Sequence, residues 1–197
     1  MTSPTSNAQT DWKLNAARVG VALALIGVTV LFYLFRDQVQ TLQRFGYPGL
    51  FALNIIASGS IVLPIPALPI VFGMAAASTS AGEPIFSWFW LGVAAALGAT
   101  LGELSGYGAG FSGQVLFEKT AVYERLHQWT KRYGVWTLTI LAFIPNPLFD
   151  MAGIAAGTLK MPVWKFLLAT LVGKLFKMWL IAWAGANSIG WIARFFW

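Results

Sequence analysis

Between Phe45 and Gly82 the chain carries no charged residue. A helix crosses a bilayer with about 20 residues, so this stretch is too long for one crossing. Pro64, Pro66 and Pro69 break it near its centre. A proline pair removes backbone donors and kinks or ends a helix. Lipid tolerates the freed polar backbone only where protein or a water-filled cavity covers it. Each arm then has about 16–18 residues, about 24–27 Å as helix. The arms form either a hairpin that dips into the membrane and returns, the preferred reading, or two short spans.

The device recurs. Tyr133 to Leu159 holds one charge, Asp150, and is divided by Pro145 and Pro147. Its arms have about 12 residues each, about 18 Å as helix and half a bilayer, so re-entry is the better-supported reading here. Paired breaks in corresponding places of two halves point to a transport site.

Composition agrees with a membrane setting: 57% of residues are hydrophobic, 10% are charged, and the mean hydropathy is +0.67. The net charge of +6 reads as basic cytoplasmic loops, not nucleic-acid binding. The ten Trp and fifteen Phe include several near helix ends, as in an interfacial belt. Without cysteine there is no disulfide, thiol catalysis or Cys-ligated metal. The single His127 lies in a charged linker with no ligand cluster around it, so no metal site is expected. No Gly-x-Ser-x-Gly elbow occurs, and an enzyme or a cofactor is not expected.

Along the chain, 1–18 is a polar tail and 19–36 an uncleaved first span with its N-terminus in the cytoplasm. Residues 46–185 form the main unit and 186–197 an aromatic, interfacial tail. Pro84 to Gly110 is a clear span with Trp88 and Trp90 at its entrance. It carries Gly98, Gly102, Gly106 and Gly110, an unbroken Gly-x-x-x-Gly series that lets another backbone approach closely. Gly153-x-x-x-Gly157 reads as packing of the same kind. In Ser112 to Arg132, Leu116, Val122, Leu126 and Trp129 recur at roughly helical spacing. An amphipathic helix on the membrane surface fits, as does an ordinary solvated connector. Met161-Pro162 opens a last span that reaches about Ala186.

The two halves are alike. Pro64-x-Pro66 then Gly73 parallels Pro145-x-Pro147 then Gly153, and Gly98 and Gly110 parallel Gly173 and Gly185. One span separates the two hairpins, so they enter from opposite faces and the repeat is inverted. Lys119, Arg125, Lys131, Arg132, Lys160 and Lys165 put the base of the second hairpin in the cytoplasm. The expected fold is an all-α integral membrane protein with two re-entrant hairpins, about three full spans and an amphipathic linker helix.

Glu103, Asp150, Lys174 and Lys177 lie at membrane depth. Ionisable groups there are costly, face the protein interior, and pair or mark a pathway. Lys174 is about 18 Å into the last span, which makes a contact with Asp150 feasible, and Lys177 follows one turn on. One reading is a set of ion pairs that lock hairpin to spans, with Lys177 snorkelling to the interface. The favoured reading is a polar path at the hairpin tips, where helix N-termini suit a phosphate. Asn146 adds an amide beside the break. Tyr107 adds a hydroxyl, unless it is an ordinary packed aromatic.

Gly102-Glu103-Leu104-Ser105-Gly106-Tyr107-Gly108-Ala109-Gly110 resembles the Gly-acid-x-x-x-Tyr-x-x-Gly signature of the DedA superfamily, whose members carry the VTT (SNARE-associated) domain. Phe143 to Pro147 through Gly153, then Met161-Pro162 and Gly173-Lys174, is similar to the second half of that domain. The resemblance covers roughly Gly46 to Gly185. It implies inverted re-entrant hairpins and lipid translocation: undecaprenyl phosphate recycling or phosphatidylethanolamine movement in bacterial relatives, scrambling in eukaryotic ones. The positions carried over are Pro64, Pro66, Glu103, Tyr107, Pro145, Asp150, Gly153 and Lys174. Ala142 and Leu148 stand where many bacterial members have Arg, and Leu68 where many have Glu, which marks a divergent branch.

The expected function is a flippase or scramblase for a phosphate-bearing lipid, in a bacterial cytoplasmic membrane. The alternatives are a proton-coupled small-solute transporter and a non-transporting scaffold assembled through the glycine stripe. Expected partners are lipids with anionic or phosphate headgroups and no nucleic acid. Self-assembly and proton or sodium coupling are open to such a chain.

Overall fold

The longest helix among the described residues, opened by Met161-Pro162, sets the frame of the molecule. The computed structural model describes residues 36–60, 66–79, 82–112, 121–145 and 148–196. The polar tail, the body of the expected first span, Pro64, Asn146, Pro147 and Leu116 lie outside the described residues. Among the described residues the regular structure is all helical: α1 Arg36–Gly59, α2 Ala67–Ala76, α3 Trp88–Gly102, α4 Leu104–Phe111, α5 Ala121–Tyr133, α6 Val135–Phe143, α7 Leu148–Thr158 and α8 Val163–Phe196.

Helix α8 begins just after Pro162, whose carbonyl accepts from the amides of Lys165 and Phe166. It runs past Ala186, where the sequence reading ends the span, because no proline interrupts it before Phe196. Its exposed stripe is Trp164, Leu168, Val172, Phe176, Leu180 and Trp183, while Thr170 and Lys174 are buried on the other side. A water-facing helix has the opposite arrangement. Two stretches are long and apolar enough to cross a membrane: Val163–Ser188, and Trp88–Phe111, which joins α3 and α4 through Glu103. The second starts four residues later than Pro84, since Ser78 and Pro84 pair as an extended bridge and the backbone is still extended at Ser87, the N-cap position.

The proline-broken stretches form pairs of short helices. Gly46 adopts φ 57°, ψ −140°, a conformation open mainly to glycine, and splits α1. Pro48 sits in the first turn beyond that kink, where a missing amide costs nothing. From Tyr47 the helix is about 19 Å long and α2 about 15 Å. In the second pair α6 is about 13 Å and α7 about 16 Å. None of these four matches a hydrocarbon core of about 30 Å.

Glycine decides how the pairs dock. A Cβ on Gly98 or Gly102 would strike the backbone of α1 at Phe51 or Gly59, and one on Gly110 the carbonyl of Ile154 in α7. On α8, a Cβ on Gly173 would strike Thr139 and Ala142 of α6, and one on Gly185 the carbonyl of Phe72 in α2. Each long helix thus holds the first arm of the pair preceding it with its first half. Its second half holds the second arm of the other pair. Gly106 and Gly153, expected as packing glycines, have ordinary room instead: their nearest neighbours are 3.9 Å and 3.8 Å away.

Helix α5 buries Tyr123, Leu126 and Thr130. Val122 and Trp129, expected on the same face as Leu126, are exposed. The Tyr123 hydroxyl and Thr158 Oγ1 are 3.1 Å apart, and Ile154 and Ala155 pack beside the ring, which rotates the helix toward α7. Gly134, at φ 53°, then turns the chain into α6.

Candidate functional site

Both proline breaks border one cavity of about 340 Å³, through Pro66 and Pro145. Glu103, Asp150, Lys174 and Lys177, the four ionisable residues picked out by depth, all line it. Lys174 stands about 17 Å along α8 from Val163 and about 21 Å from Ser188, near mid-membrane. Glu103 is delivered by the junction of α3 and α4, and Asp150 by the first turn of α7. Lys177 follows Lys174 on α8, three residues on and therefore on the same face.

The ion pair within the cavity wall is Lys174–Glu103, at 2.5 Å, with both side chains buried. The sequence reading offers Asp150 as the partner, which matches in depth. The ammonium instead turns toward α3. It donates to Glu103 Oε1, to the Ala99 carbonyl at 3.0 Å and to Ser58 Oγ at 3.1 Å. An ammonium has three donors, and here each has an acceptor. Phe149 lies alongside, its ring centroid 5.5 Å from the nitrogen.

Asp150 and Lys177 are in a different state. Both are half-buried, both line the cavity, and neither has a hydrogen bond or ion pair with another described residue. Glu103 and Lys174 cancel in charge. One carboxylate and one ammonium therefore remain on the cavity wall.

Two polar lining residues of α1 escaped the sequence reading. Asn54 is fully buried, donates from Nδ2 to the Leu50 carbonyl at 2.8 Å, and leaves Oδ1 without a partner among the described residues. Ser58 is an acceptor for Lys174. They sit four apart on α1, hence on one face. That spacing of polar residues inside an apolar arm was the available signal.

Tyr107, expected on the path, does not line the cavity. Its hydroxyl donates to the Met161 carbonyl at 2.5 Å, and its ring packs 4.9 Å from Phe166 in a core with Leu138, Ala152 and Ala156. It pins α4 to the turn between α7 and α8, a structural role. Removing the hydroxyl in Tyr107→Phe leaves a carbonyl unmatched, so stability is expected to fall by about 1–3 kcal/mol. Thermal unfolding in detergent checks this. Ala142, at a place where many relatives of the resembled family have Arg, is fully buried and would lie 2.6 Å from a Cβ on Gly173. An arginine has no room there.

Two helices long and apolar enough to cross a membrane, pairs of short apolar helices and a buried Lys174–Glu103 ion pair define a membrane protein with a polar centre. The VTT domain model matches residues 63–187, and the chain belongs to that family. It is similar to vacuole membrane protein KMS1 of Arabidopsis thaliana, 34% identical over 144 residues, covering 68% of this chain and 33% of the relative. KMS2 of the same plant is 38% identical over 97 residues, covering 40% and 23%. Vacuole membrane protein 1 of Homo sapiens is 48% identical over 44 residues, covering 22% and 11%. The chain thus spans a third or less of the length of these curated relatives. No solved structure matches it.

Proposed function

We propose that the chain is a flippase or scramblase: it carries the phosphate-bearing headgroup of a membrane lipid through the cavity while the acyl tails stay in the bilayer. One observation carries the reading. Asp150 and Lys177 line a cavity at membrane depth with no hydrogen bond or ion pair to another described residue, although the neighbouring Lys174 is saturated. A charged side chain at the centre of a spanning helix costs about 2.5–3.5 kcal/mol on insertion scales. A scaffold gains nothing from two such groups left unpaired. A carrier does: the ammonium of Lys177 meets the phosphate oxygens, and Asp150 receives a cationic group of the headgroup or a coupling proton.

We read the two pairs of short helices as re-entrant hairpins that enter from opposite faces, with their tips at the cavity. The exchange of packing partners between α3–α4 and α8 supports an inverted repeat. Each long helix meets one arm from each pair, at a glycine backbone contact. Domain architecture follows the same reading, with 46–185 as the transporting unit. Movement is taken to be passive or ion-driven.

The test is reconstitution of the full chain into liposomes with labelled phospholipid or labelled undecaprenyl phosphate. Wild type is expected to exchange lipid well above protein-free vesicles. Asp150→Ala and Lys177→Gln are expected to fall to that background, while Tyr107→Phe keeps its rate per folded molecule. Background exchange in wild type, or wild-type rates in both cavity variants, would sink the proposal. Inversion is tested on this cysteine-free chain with single cysteines at Ser78 and Lys160. Labelling from the same side refutes it.

A further inference from the structure

The transport cavity makes no use of the end of the molecule where α5, the base of α6 and the start of α8 come together. Helix α5 is fastened there at both ends. Tyr123 meets Thr158 at the foot of α7, and the Trp129 carbonyl accepts from Thr137 Oγ1 of α6 at 3.1 Å. At about 100° per residue, Val122, Arg125, Trp129, Arg132 and Tyr133 share one exposed flank of α5. Glu124 lies on the opposite flank, where Gln128 donates to it at 3.2 Å.

The same mixture continues onto the neighbouring helices. Trp136 is 72% exposed and Trp164 60%. Lys165 sits 5.4 Å from the Trp164 ring and Arg132 5.3 Å from the Tyr133 ring. Trp164 is also where the lipid-facing stripe of α8 begins. Indole and phenol rings at the end of an apolar stripe mark the headgroup level of a bilayer. Among the described residues of this end, Arg125, Lys131, Arg132, Lys160 and Lys165 face one acid, Glu124.

We propose that this end is a binding surface for anionic phospholipids of the surrounding leaflet, with Arg125 and Arg132 on α5 and Lys165 on α8 contacting their phosphates. Charge complementarity selects the lipid, and the interleaved rings fix the depth at which the cations sit. A soluble acidic protein would match the charge and leave four exposed rings without a counterpart. The surface is independent of transport, because none of these residues lines the cavity.

Spin-labelled phosphatidylglycerol and phosphatidylcholine, each in phosphatidylcholine vesicles holding the full chain, measure the two lipids' association with the protein. A basic residue near an anionic surface contributes about fivefold. Wild type is expected to prefer phosphatidylglycerol about fivefold or more at low salt. The preference is expected to approach unity in about 0.5 M salt, where screening is short-ranged. It should also approach unity in Arg125→Gln/Arg132→Gln/Lys165→Gln. These side chains are exposed, so the triple variant is expected to keep the wild-type unfolding midpoint and lipid-exchange rate. Glu124→Gln should keep the preference. Equal association of the two lipids with wild type, or an undiminished preference in the triple variant, overturns the proposal.

Discussion

Lys174→Ala is expected to destabilise the folded chain by about 3–5 kcal/mol, the cost of breaking a buried ion pair from one side. Glu103 would stay buried, at 5% exposure, with its carboxylate unmatched. The Ala99 carbonyl and Ser58 hydroxyl would lose the same donor. The loss is structural before it is functional, because the ammonium joins α8 to α3 and to the last turns of α1. Removing both charges separates the two roles. Lys174→Met combined with Glu103→Leu replaces the pair by apolar side chains of similar size, an exchange that is often neutral or stabilising in buried sites. The double variant is therefore expected to recover most of the stability lost by either single variant. A double-mutant cycle on thermal unfolding, followed by tryptophan fluorescence in detergent, gives the coupling energy. A single variant within about 1 kcal/mol of wild type, or a double variant as unstable as the worse single, would refute the pairing. Lys177→Gln is the contrast: it breaks no bond to a described residue and is expected to spare stability while removing lipid exchange.

The long helices were readable because apolar length is a one-dimensional quantity. Trp88–Phe111 and Val163–Ser188 follow from counting apolar residues along the chain, and the proline breaks from the missing amides. Depth was readable in the same way, which is why all four ionisable residues turn up around one cavity. Azimuth was not. Asp150 and Glu103 both match the depth of Lys174, and only the rotation of α8 about its axis assigns the ammonium to Glu103. The direction of the Tyr107 hydroxyl was hidden for the same reason, since a hydroxyl at the right height can point at Met161 instead of the cavity. The apolar stripe of α5 divides, with Leu126 buried and Val122 and Trp129 exposed beside it, an exposure that a membrane interface rewards. The glycine series shows a subtler limit. Spacing by four drifts about 40° per step on a helix of 3.6 residues per turn. Gly98 and Gly102 therefore meet α1 and Gly110 meets α7, while Gly106 falls at the crossover and touches neither backbone closely.

That crossover yields a graded set of substitutions, expected to run from stabilising to unfolding along a single turn and a half of α4. Gly108 has nothing within 4 Å of an added Cβ, so Gly108→Ala removes unfolded-state entropy at no steric cost and is expected to stabilise by about 0.4–1 kcal/mol. Gly106→Ala meets only the Asp150 carbonyl, at 3.9 Å, and is expected to behave alike. Gly110→Ala places a methyl against the carbonyl of Ile154, with the carbonyl carbon 2.8 Å away. Here the obstacle is backbone, which cannot change rotamer. From the other side Gly157 is just as close, with the Phe111 amide nitrogen 2.7 Å from its added Cβ. The two helices must separate to admit one methyl, so the cost is expected at about 3 kcal/mol, the upper end for overpacking. Gly110→Val adds two more carbons and is expected to leave little monodisperse protein. Size-exclusion profiles and unfolding midpoints across the four variants measure the series. If Gly110→Ala is as stable as Gly108→Ala, α4 and α7 do not approach at glycine distance. The docking of α7 that presents Asp150 to the cavity would then be wrong as well. If the series holds, the spacing of these glycines sets how far the first turn of α7 stands from Lys174, and so sets the width of the polar centre itself.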